Sequence, residues 1–430
     1  MLVIAAPGQG AQTPGFLAPW LELPGFADRL AAWSDLAGCD LIRYGTTAGK
    51  DEITDTAVAQ PLLVAAALAA AEALAGGVTG ARTQAGQHAG VAAGHSVGEL
   101  AAGAIAGVIS AKDAMRLVGV RGRAMAKAAA AEATGMTAIL GGDQDEVLAA
   151  LDAAGLTPAN VNGAGQIVAA GTMAQLAKLA GNPPAGARLR PLPVAGAFHT
   201  THMAPAVAAL REAAAGVTVC DPAIVLLSNA DGRAVTSGQD WLDRIVVQVS
   251  APVRWDECMH SMSELGVSAL IELPPGGTLT GLARRALPGV ALAALKTPGD
   301  LDVARSLLAE HGTPEPPQPG HVPEWRLLVS PLAGTFSGNQ LGWSPTSGTT
   351  AQGVTFGPAV VAGTTGTGGL ATAQTLAFAP QGLGNYATSG VGNGYGVTNL
   401  GASLSLLIPL TAPPGAYTST VTFTAIPSHA

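Results

Sequence analysis

Formal charge divides this chain into two unlike parts, and that division limits the folds open to it. All 21 Lys and Arg residues and all 29 Asp and Glu residues lie within residues 1–326, and residues 327–430 contain none of them. Because one compact domain does not normally confine its charges in this way, we expect a charged N-terminal part and a separate uncharged tail. The Pro-rich segment 312–325 precedes the change and is typical of an extended linker.

Composition excludes several classes of protein. At roughly 150 residues per domain, the 430 residues allow two or three domains. The net charge of −8 argues against broad nucleic-acid binding, because that requires a basic surface. The three cysteines, Cys39, Cys220 and Cys258, lack the spacing of a zinc site, so we expect reduced core thiols and no bound metal.

The apolar stretches are not typical of a membrane protein. Segment 57–76 is interrupted by Gln60, Pro61 and Glu72, and segment 101–110 is too short to cross a bilayer. The N-terminus lacks the basic residues and the apolar length of a secretory signal. We therefore expect a cytoplasmic protein without a membrane partner.

Before the linker, short apolar runs alternate with Ala- and Leu-rich helical stretches. This alternation predicts an α/β fold with a mainly parallel sheet, which we assign to residues 1–127 and 194–312. Residues 128–193 show strand-like and helical runs in the order βαββαβ, which predicts an inserted ferredoxin-like subdomain.

The rest of the chain is assigned separately. Residues 313–336 are assigned to the linker and the end of the N-terminal part that precedes the tail. Residues 337–430 include TSTVTFTA (418–425), in which apolar and polar residues alternate with period two, and this pattern predicts an all-β tail of unknown role.

The segment Gly94-His95-Ser96-Val97-Gly98 fits the GxSxG pattern of a nucleophile elbow. It follows an apolar strand-like run and precedes an apolar helical one, which favours a hydrolase-like core. In such an elbow a serine hydroxyl is exposed beside free backbone N–H groups that can stabilise an oxyanion. The alternative interpretation is a plain turn between a strand and a helix.

A serine nucleophile requires a base, and His199 is the histidine best placed for that role. We expect it at the end of a strand formed by LPVAGAF (192–198), from which it would reach Ser96 across the strand ends. His95 adjoins the serine and is expected to point away, as a supporting residue. The alternative for His199 is an ordinary core histidine.

Seven motifs occur in one order along the chain, and together they resemble the malonyl-CoA:acyl carrier protein transacylases of the actinobacterial type. The resemblance covers residues 1–312 and extends towards residue 336. The motifs are Gly8-Gln9-Gly10-Ala11-Gln12, Ala59-Gln60-Pro61, Gly94-His95-Ser96-Val97-Gly98-Glu99, Arg121-Gly122, Asn160-Val161-Asn162, Gly196-Ala197-Phe198-His199, and Gln248 ahead of Pro252-Val253-Arg254-Trp255.

This resemblance implies a function and a set of residue roles. Ser96 would accept a malonyl group from malonyl-CoA, and His199 would act as the base for that step and for transfer to the acyl carrier protein. The main-chain carbonyl of Gln248 would orient His199, and the N–H groups of Gln9 and Val97 would form the oxyanion hole. No cofactor is implied, and we expect a monomer.

Arg121 would bind the free carboxylate of the malonyl group, because a guanidinium binds a carboxylate through two charge-assisted hydrogen bonds. The alternative is a basic residue on a solvated helix face. The resemblance places Phe198, Gln60, Asn160 and Asn162 in the same pocket.

Arg284 and Arg285 resemble a basic pair that the family places near the cleft, so they would contact the acidic carrier protein. Arg188, Arg190 and Lys178 are weaker candidates, and ordinary solubilising charge is the alternative for all five. The segment 272–276 departs from the family's usual Glu-x-Gly-Pro-Gly turn by having Pro in place of the first Gly.

Two other functions are consistent with the sequence. A serine esterase or thioesterase would use the same elbow, although a hydrolase of neutral esters has no use for Arg121. A surface structural protein would be defined by residues 337–430, which loosely resemble β-rich domains of Gram-positive surface proteins. The expected function is malonyl transfer for fatty-acid or polyketide synthesis.

Overall fold

A computed structural model describes residues 1–76, 89–163, 165–194 and 196–312, and beyond them the backbone of eight short strands. The chain divides into two units, Met1–Pro314 and Glu315–Ala430.

The first unit contains thirteen α-helices and eleven strands among the described residues. The helices are α1 Phe26–Ala37, α2 Leu41–Thr46, α3 Lys50–Thr54, α4 Thr56–Leu74, α5 Gly98–Ile105, α6 Ala111–Ala129, α7 Gln144–Ala154, α8 Met173–Gly181, α9 Ala204–Ala214, α10 Gly238–Gln248, α11 Trp255–Glu264, α12 Thr278–Ala286 and α13 Leu301–His311. The strands are β1 Leu2–Ala6, β2 Val91–Gly94, β3 Thr134–Gly141, β4 Thr157–Gly163, β5 Gln166–Thr172, β6 Ala187–Pro191, β7 Val225–Leu227, β8 Ala234–Val235, β9 Val253–Arg254, β10 Ala269–Glu272 and β11 Ala291–Ala294.

The larger sheet has the order β11-β10-β1-β2-β7-β8. All neighbours in it are parallel except β8, which pairs antiparallel with β7 at the edge. Every residue of β1, β2 and β10 is buried, as expected for strands that helices cover on both faces. The mixed α/β fold with a mainly parallel sheet is therefore confirmed for the first unit.

Four of these parallel strands end at the same edge of the sheet, and the site is built there. Gln9 follows β1, Ser96 follows β2 and Asn229 follows β7, while Glu272 is the last residue of β10. Loops at the carboxyl ends of parallel strands meet at one crevice, so residues far apart in the sequence become neighbours.

The smaller sheet has the order β6-β3-β5-β4-β9. Strands β3 to β6, together with α7 and α8, follow one another as βαββαβ, which is the order that the sequence indicated. The βαββαβ pattern in the sequence does not predict the fifth strand, β9. It comes from the segment after α10 and pairs parallel with β4, with Val253 opposite Asn160, so it joins the smaller sheet to the rest of the unit.

One detail of the sequence prediction is wrong. No described residue of the segment 192–198 is in a strand, and His199 lies in a turn with φ of +62°. Strand pairing ends at Pro191, after which Leu192 N donates to Met136 O and Ala197 N donates to the side chain of Thr134. Because a left-handed backbone at His199 cannot continue a strand, the chain leaves the sheet before the histidine.

Two long helices form much of the core. Helix α4 is apolar and long enough to cross a membrane by length and composition, with a mean hydropathy of 1.7, but 78% of that stretch is buried inside the unit. Helix α6 packs closely against it because Gly122 has no side chain. A Cβ there would lie 3.0 Å from the carbonyl oxygen of Thr56. This close packing brings Gln60 of α4 near Arg121 of α6.

In the second unit the described strands pair antiparallel. They are β12 Glu324–Val329, β13 Ala333–Gly334, β14 Leu341–Thr346, β15 Thr355–Phe356, β16 Gln374–Ala379, β17 Gly401–Leu406, β18 Ser419–Thr420 and β19 Phe423–Ser428. Residues 313–323 of the predicted linker, and most of the segment predicted as an all-β tail, lie outside the described residues, while β12 and β13 fall within the segment 313–336. The all-β tail therefore stays a prediction.

Candidate active site

Ser96 occupies the sharp turn between β2 and α5, with φ of +53°. A residue with a side chain rarely adopts this conformation, which costs about 1–3 kcal/mol and is concentrated at functional sites. The flanking glycines make the turn possible. A Cβ on Gly94 would lie 2.0 Å from the carbonyl carbon of Gly98, and a Cβ on Gly98 would lie 2.2 Å from the oxygen of Ala6. The GxSxG segment therefore forms an elbow rather than a plain turn.

His199 is 3% exposed and lies against the serine, with its Nε2 2.7 Å from Ser96 Oγ. Its Nδ1 is 2.9 Å from the main-chain oxygen of Gln248. A carbonyl oxygen only accepts, so Nδ1 carries the proton and Nε2 is free to accept from the serine hydroxyl. Burial, followed by the charge of Arg121, lowers the pKa of His199 to about 3, which keeps the imidazole neutral.

Arg121 is 2% exposed and reaches the nucleophile from α6. Its Nη2 donates to Gln248 Oε1 over 2.7 Å and lies 3.4 Å from Ser96 Oγ, while Nη1 donates to Gln60 Oε1. Burial lowers the pKa of Arg121 to about 10, so the side chain remains a cation at neutral pH. The interpretation of Arg121 as a solvated surface residue is therefore wrong.

The helical pattern of α6 contains a signal for this burial. Arg121 occupies the spacing of a buried apolar stripe, whose other members are Ala114, Val118, Met125 and Ala128. A charged residue within the core-facing stripe of an amphipathic helix is costly unless it is paired, so it indicates a function.

A cleft of about 300 Å³ surrounds these groups. All the residues that the sequence assigned to the pocket line it, namely Gln60, Phe198, Asn160 and Asn162. The apolar wall also includes Met125, Met136, Val168 and Leu279, which sequence reasoning did not single out. The cleft is apolar on one side and carries a few polar groups beside the serine, as small-molecule sites do.

The two N–H groups expected to form an oxyanion hole also lie at this cleft. Gln9 and Val97 both line it. Within the described residues, neither of their N–H groups donates to another protein group. The side chain of Gln9 is fixed by donating to Thr54 O over 3.1 Å and accepting from the hydroxyl of Thr56. Both N–H groups are therefore available to an oxygen that enters from the substrate side.

His95 lines the same cleft, but its ring bonds to Asn162 rather than to Ser96. Its Nε2 is 2.9 Å from Asn162 Oδ1, so that ring nitrogen carries the proton, and its ring lies 5.7 Å from the ring of Trp255. Burial lowers the pKa of His95. The hydrogen bond between His95 and Asn162 thus connects the elbow to β4 of the smaller sheet.

Sequence reasoning missed two buried polar residues. Glu99 is 2% exposed, and Asn229 is fully buried between the elbow and α11. Burial raises the pKa of Glu99 to about 7, and its carboxyl accepts from Gln248 Nε2 and from Asn229 N. Glu99 is the last residue of the Gly94–Glu99 motif, but the sequence alone assigns it no role. No local pattern marks Asn229, which reaches the site only through the order of the sheet.

Arg284 and Arg285 are exposed in the last turn of α12. The same helix contributes Leu279 and Leu282 to the cleft wall. Its first turn is held by Glu272, whose carboxylate accepts from the N–H groups of Gly277, Leu279 and Thr280 at 2.8 Å each. The departure from the family pattern at 272–276 therefore leaves this helix firmly capped.

The weaker docking candidates lie in the smaller lobe. Arg188 and Arg190 are exposed on β6, which is an edge strand. The amine of Lys178 donates to Ala153 O. In the described ranges, no group of three or more His, Cys, Asp or Glu side chains is placed to hold a metal ion.

The arrangement can carry out one kind of chemistry well. A serine in hydrogen-bond contact with a neutral histidine can be acylated, and two free N–H groups can stabilise the oxyanion that forms. The buried guanidinium beside the serine favours an acyl group that bears a carboxylate. The fold and the site together define a serine-dependent acyl-transfer protein.

Comparisons with known proteins agree with this class. Residues 6–297 match the model of the acyl transferase domain family. The malonyl CoA-acyl carrier protein transacylase of Mycobacterium tuberculosis H37Rv is 55% identical over 307 residues, covering 71% of this chain and 100% of the relative. The enzyme of the same name from Escherichia coli K12 is 33% identical, covering 70% and 97%.

Solved structures give the same result. The crystal structure of MCAT from M. tuberculosis matches with a TM-score of 0.66 and 54% identity, covering 71% of this chain and 99% of that one. A complex of a type II PKS acyl-carrier protein with its malonyl-transacylase matches with a TM-score of 0.63 and 31% identity, covering 71% and 99%. This chain belongs to the malonyl CoA-acyl carrier protein transacylase family.

Proposed function

We propose that this protein transfers a malonyl group from malonyl-CoA to the pantetheine thiol of an acyl carrier protein, through a malonyl ester of Ser96. The observation that carries the proposal is the position of Arg121, a buried cation 3.4 Å from the hydroxyl oxygen of a serine that also contacts His199. The relatives named above support the same reaction, since they share it by name and align along nearly their whole length.

In the first half-reaction, the malonyl carboxylate binds Arg121 and the thioester carbonyl lies against Ser96. Nε2 of His199 takes the hydroxyl proton as Oγ attacks the carbonyl carbon, and the N–H groups of Gln9 and Val97 stabilise the oxyanion. Collapse of this intermediate breaks the carbon–sulfur bond, and His199 returns the proton to the departing CoA thiolate.

The second half-reaction runs the same steps with another thiol. His199 takes the proton of the carrier protein's pantetheine thiol, whose sulfur attacks the malonyl ester. The oxyanion forms in the same hole, and the ester bond to Ser96 then breaks while His199 returns the proton to Oγ. The Nδ1 bond to Gln248 holds the imidazole in the required tautomer throughout.

The electrostatics of the pocket link substrate binding to the base. The charge of Arg121 helps to keep the pKa of His199 low while the pocket holds no anion. A carboxylate bound to Arg121 offsets that charge, so it raises the pKa of His199 and makes the imidazole a better proton acceptor. A substrate without a carboxylate would lack this effect.

Selection of the acyl group depends on the space around its second carbon. Val97 follows the nucleophile and is 1% exposed, and Phe198 precedes the base and lines the cleft. Both narrow the pocket, so a methyl branch at that carbon would meet them. Discrimination of one methyl group is worth about 1–3 kcal/mol, so the preference is expected to be incomplete.

We also propose the surface that binds the carrier protein and the cellular setting of the enzyme. Arg284 and Arg285 would receive the carrier protein, because α12 presents both at the end of a helix that lines the cleft. The enzyme would work as a monomer in the cytoplasm, in fatty-acid or polyketide synthesis, without a cofactor and without nucleic-acid or membrane partners.

The finer domain assignment is part of the proposal. Residues 1–127 and 194–312 would form a hydrolase-like core, residues 128–193 a ferredoxin-like subdomain, 313–336 a linker, and 337–430 an accessory tail with no catalytic role. Limited proteolysis of the full chain tests the last assignment. A product cleaved near residues 316–323 should transfer malonyl groups at the rate of the intact chain.

Intact-mass spectrometry tests the reaction itself. Mixing the protein with malonyl-CoA should add one malonyl group to the native protein and none to Ser96→Ala, whereas the exposed control Ser263→Ala should be labelled fully. Adding a carrier protein should then move the group to its pantetheine thiol. Release of free malonate without transfer would instead identify a hydrolase and overturn the proposal.

A further inference from the structure

Asn229 uses every polar group it has in hydrogen bonds inside the protein, and it is not among the described residues that line the cleft. It is fully buried after β7. Its side-chain Nδ2 donates to Gly94 O, and its Oδ1 accepts from Ser96 N, each over 2.7 Å. Its main-chain N–H donates to Glu99 Oε1, and its main-chain oxygen accepts from Arg254 N, each over 2.8 Å.

The two hydrogen bonds of the Asn229 side chain reach both sides of the nucleophile turn. Gly94 is the last residue of β2, and Ser96 is the residue with the left-handed backbone. One planar amide therefore fixes the carbonyl before the turn and the N–H within it. Because Asn229 occupies the N–H of Ser96, that group is not available to the oxyanion, which leaves Val97 as the donor from the elbow.

Glu99 connects Asn229 to the base, His199. One of its carboxyl oxygens holds Asn229, and the other accepts from the side chain of Gln248, whose main-chain oxygen holds His199. The side chain of Gln248 also donates to Ser96 O over 2.9 Å. The carboxyl group of Glu99 therefore stabilises the elbow through Asn229 and the base through Gln248.

We infer that Asn229 is a positioning residue for the acyl transfer: it holds the elbow so that Ser96 Oγ stays within reach of His199, and Glu99 keeps Asn229 in place. This role rests on the serine chemistry proposed above. It assigns Asn229 no contact with malonyl-CoA, so its loss should alter the rate of the serine step rather than the binding of the substrate.

The test compares Asn229→Ala with Cys258→Ala. Cys258 is equally buried, its sulfur lies 3.7 Å from Asn229 Nδ2 and its thiol donates to Ser228 O, so its loss opens a cavity at nearly the same place. We expect Asn229→Ala to lower kcat for malonyl transfer about 100-fold with KM for malonyl-CoA nearly unchanged, because small displacements of a reacting group cost about that much. Cys258→Ala should keep the native kcat.

Inactivation by phenylmethanesulfonyl fluoride provides a readout independent of malonyl-CoA. The reagent sulfonylates a reactive serine and contains no carboxylate, so its rate reports the Ser96–His199 pair alone. We expect Asn229→Ala to react about 100-fold more slowly than the native protein at a temperature where both are folded. Equal rates would overturn the inference, even if the variant were less stable. Failure of Ser96 in the native protein to accept a malonyl group from malonyl-CoA would instead overturn the proposed function.

Asn229→Asp separates positioning from space filling without changing the side-chain shape. A neutral carboxylic acid can still donate to Gly94 O and accept from Ser96 N, whereas a carboxylate places an oxygen against the carbonyl. Glu99 and Cys258 contact this position, and the charges of Asp231 and Asp256 act on the neighbouring Cys258 thiol. We expect the inactivation rate of this variant, relative to the native rate, to fall as pH rises. A constant ratio near one would overturn the inference.

Discussion

The guanidinium Nη2 of Arg121 lies 3.4 Å from the hydroxyl oxygen of Ser96. A malonyl group has only one carbon between its carboxylate and its thioester carbonyl. A carboxylate bound at Arg121 therefore brings that carbonyl to the serine, and a longer diacid would carry its carbonyl past it. In the proposed reaction, this contact places recognition of the acyl group beside the reacting serine.

Replacing Arg121 should affect malonyl-CoA and acetyl-CoA differently. Arg121→Ala removes the charge-assisted hydrogen bonds to the carboxylate, so kcat/KM for malonyl-CoA should fall about 100-fold or more, since each such bond is worth about 1.5–3 kcal/mol. The value for acetyl-CoA should change far less. Steady-state kinetics with both substrates check this, with the exposed Arg116→Ala on the same helix as control. Equal losses for both substrates would contradict the assignment.

The low pKa of His199 should be visible in the stability of the protein. In the unfolded chain the pKa is near 6.5, and in the folded protein it is about 3, so between these values the unfolded state binds more protons. The contribution of His199 to stability is therefore complete above pH 6.5 and is lost as pH falls, by about 1.4 kcal/mol per pH unit well below that value.

Denaturant unfolding between pH 4 and 8 measures this effect. The difference in unfolding free energy between the native protein and His199→Ala should shrink as pH falls below 6.5. Glu99 titrates in the same range, but it is present in both proteins, so its effect cancels to first order. A difference that does not vary with pH would show that burial leaves the pKa of His199 unchanged.

Enlarging the pocket at Phe198 should relax the choice of acyl group. Phe198→Leu removes ring atoms from the cleft wall, which in the proposed binding mode lie beside the second carbon of the acyl group, so the ratio of kcat/KM for methylmalonyl-CoA to that for malonyl-CoA should rise about 10-fold. Competition between the two thioesters for a limiting carrier protein measures the ratio directly. An unchanged ratio would assign the selection to another part of the cleft wall.

Charge reversal at Arg284 and Arg285 should affect only the second half-reaction. The double variant Arg284→Glu, Arg285→Glu should raise KM for the carrier protein several-fold and weaken its dependence on salt, because a docking surface acts through long-range attraction. The rate of serine malonylation by malonyl-CoA should stay native. The matched control reverses Arg188 and Arg190 on β6. A larger effect from that pair would move the docking surface to the smaller lobe.

Two glycines should respond in opposite directions to alanine. Gly98→Ala places a Cβ 2.2 Å from the oxygen of Ala6, so the elbow must shift, at a cost of about 1–3 kcal/mol or more. Gly281→Ala lies within α12, where no atom of the described residues outside the helix's own backbone comes within 4 Å of the added Cβ, and it should stabilise the protein by about 0.5–1 kcal/mol. Thermal unfolding of both variants checks this. A stable Gly98→Ala would contradict the tight elbow.

The sequence by itself determined the parts of this protein that depend on local rules. Alternation of apolar strands and helices predicts the mixed α/β fold, the GxSxG spacing locates the elbow, and the order of the motifs indicates the family. These features are local because a turn needs its glycines and a parallel strand needs its apolar residues at fixed neighbouring positions. The apolar run 192–198 satisfied the same rules and still formed no described strand.

Only the tertiary structure decided which distant side chains meet. The order of the larger sheet places the ends of β1, β2 and β7 side by side, and this brings Asn229 to Ser96 across 133 positions. Close packing of α6 on α4 turns Arg121 inward, where burial sets the pKa values of Arg121, His199 and Glu99. Burial and long-range contact are properties of the folded chain, and no stretch of sequence carries them alone.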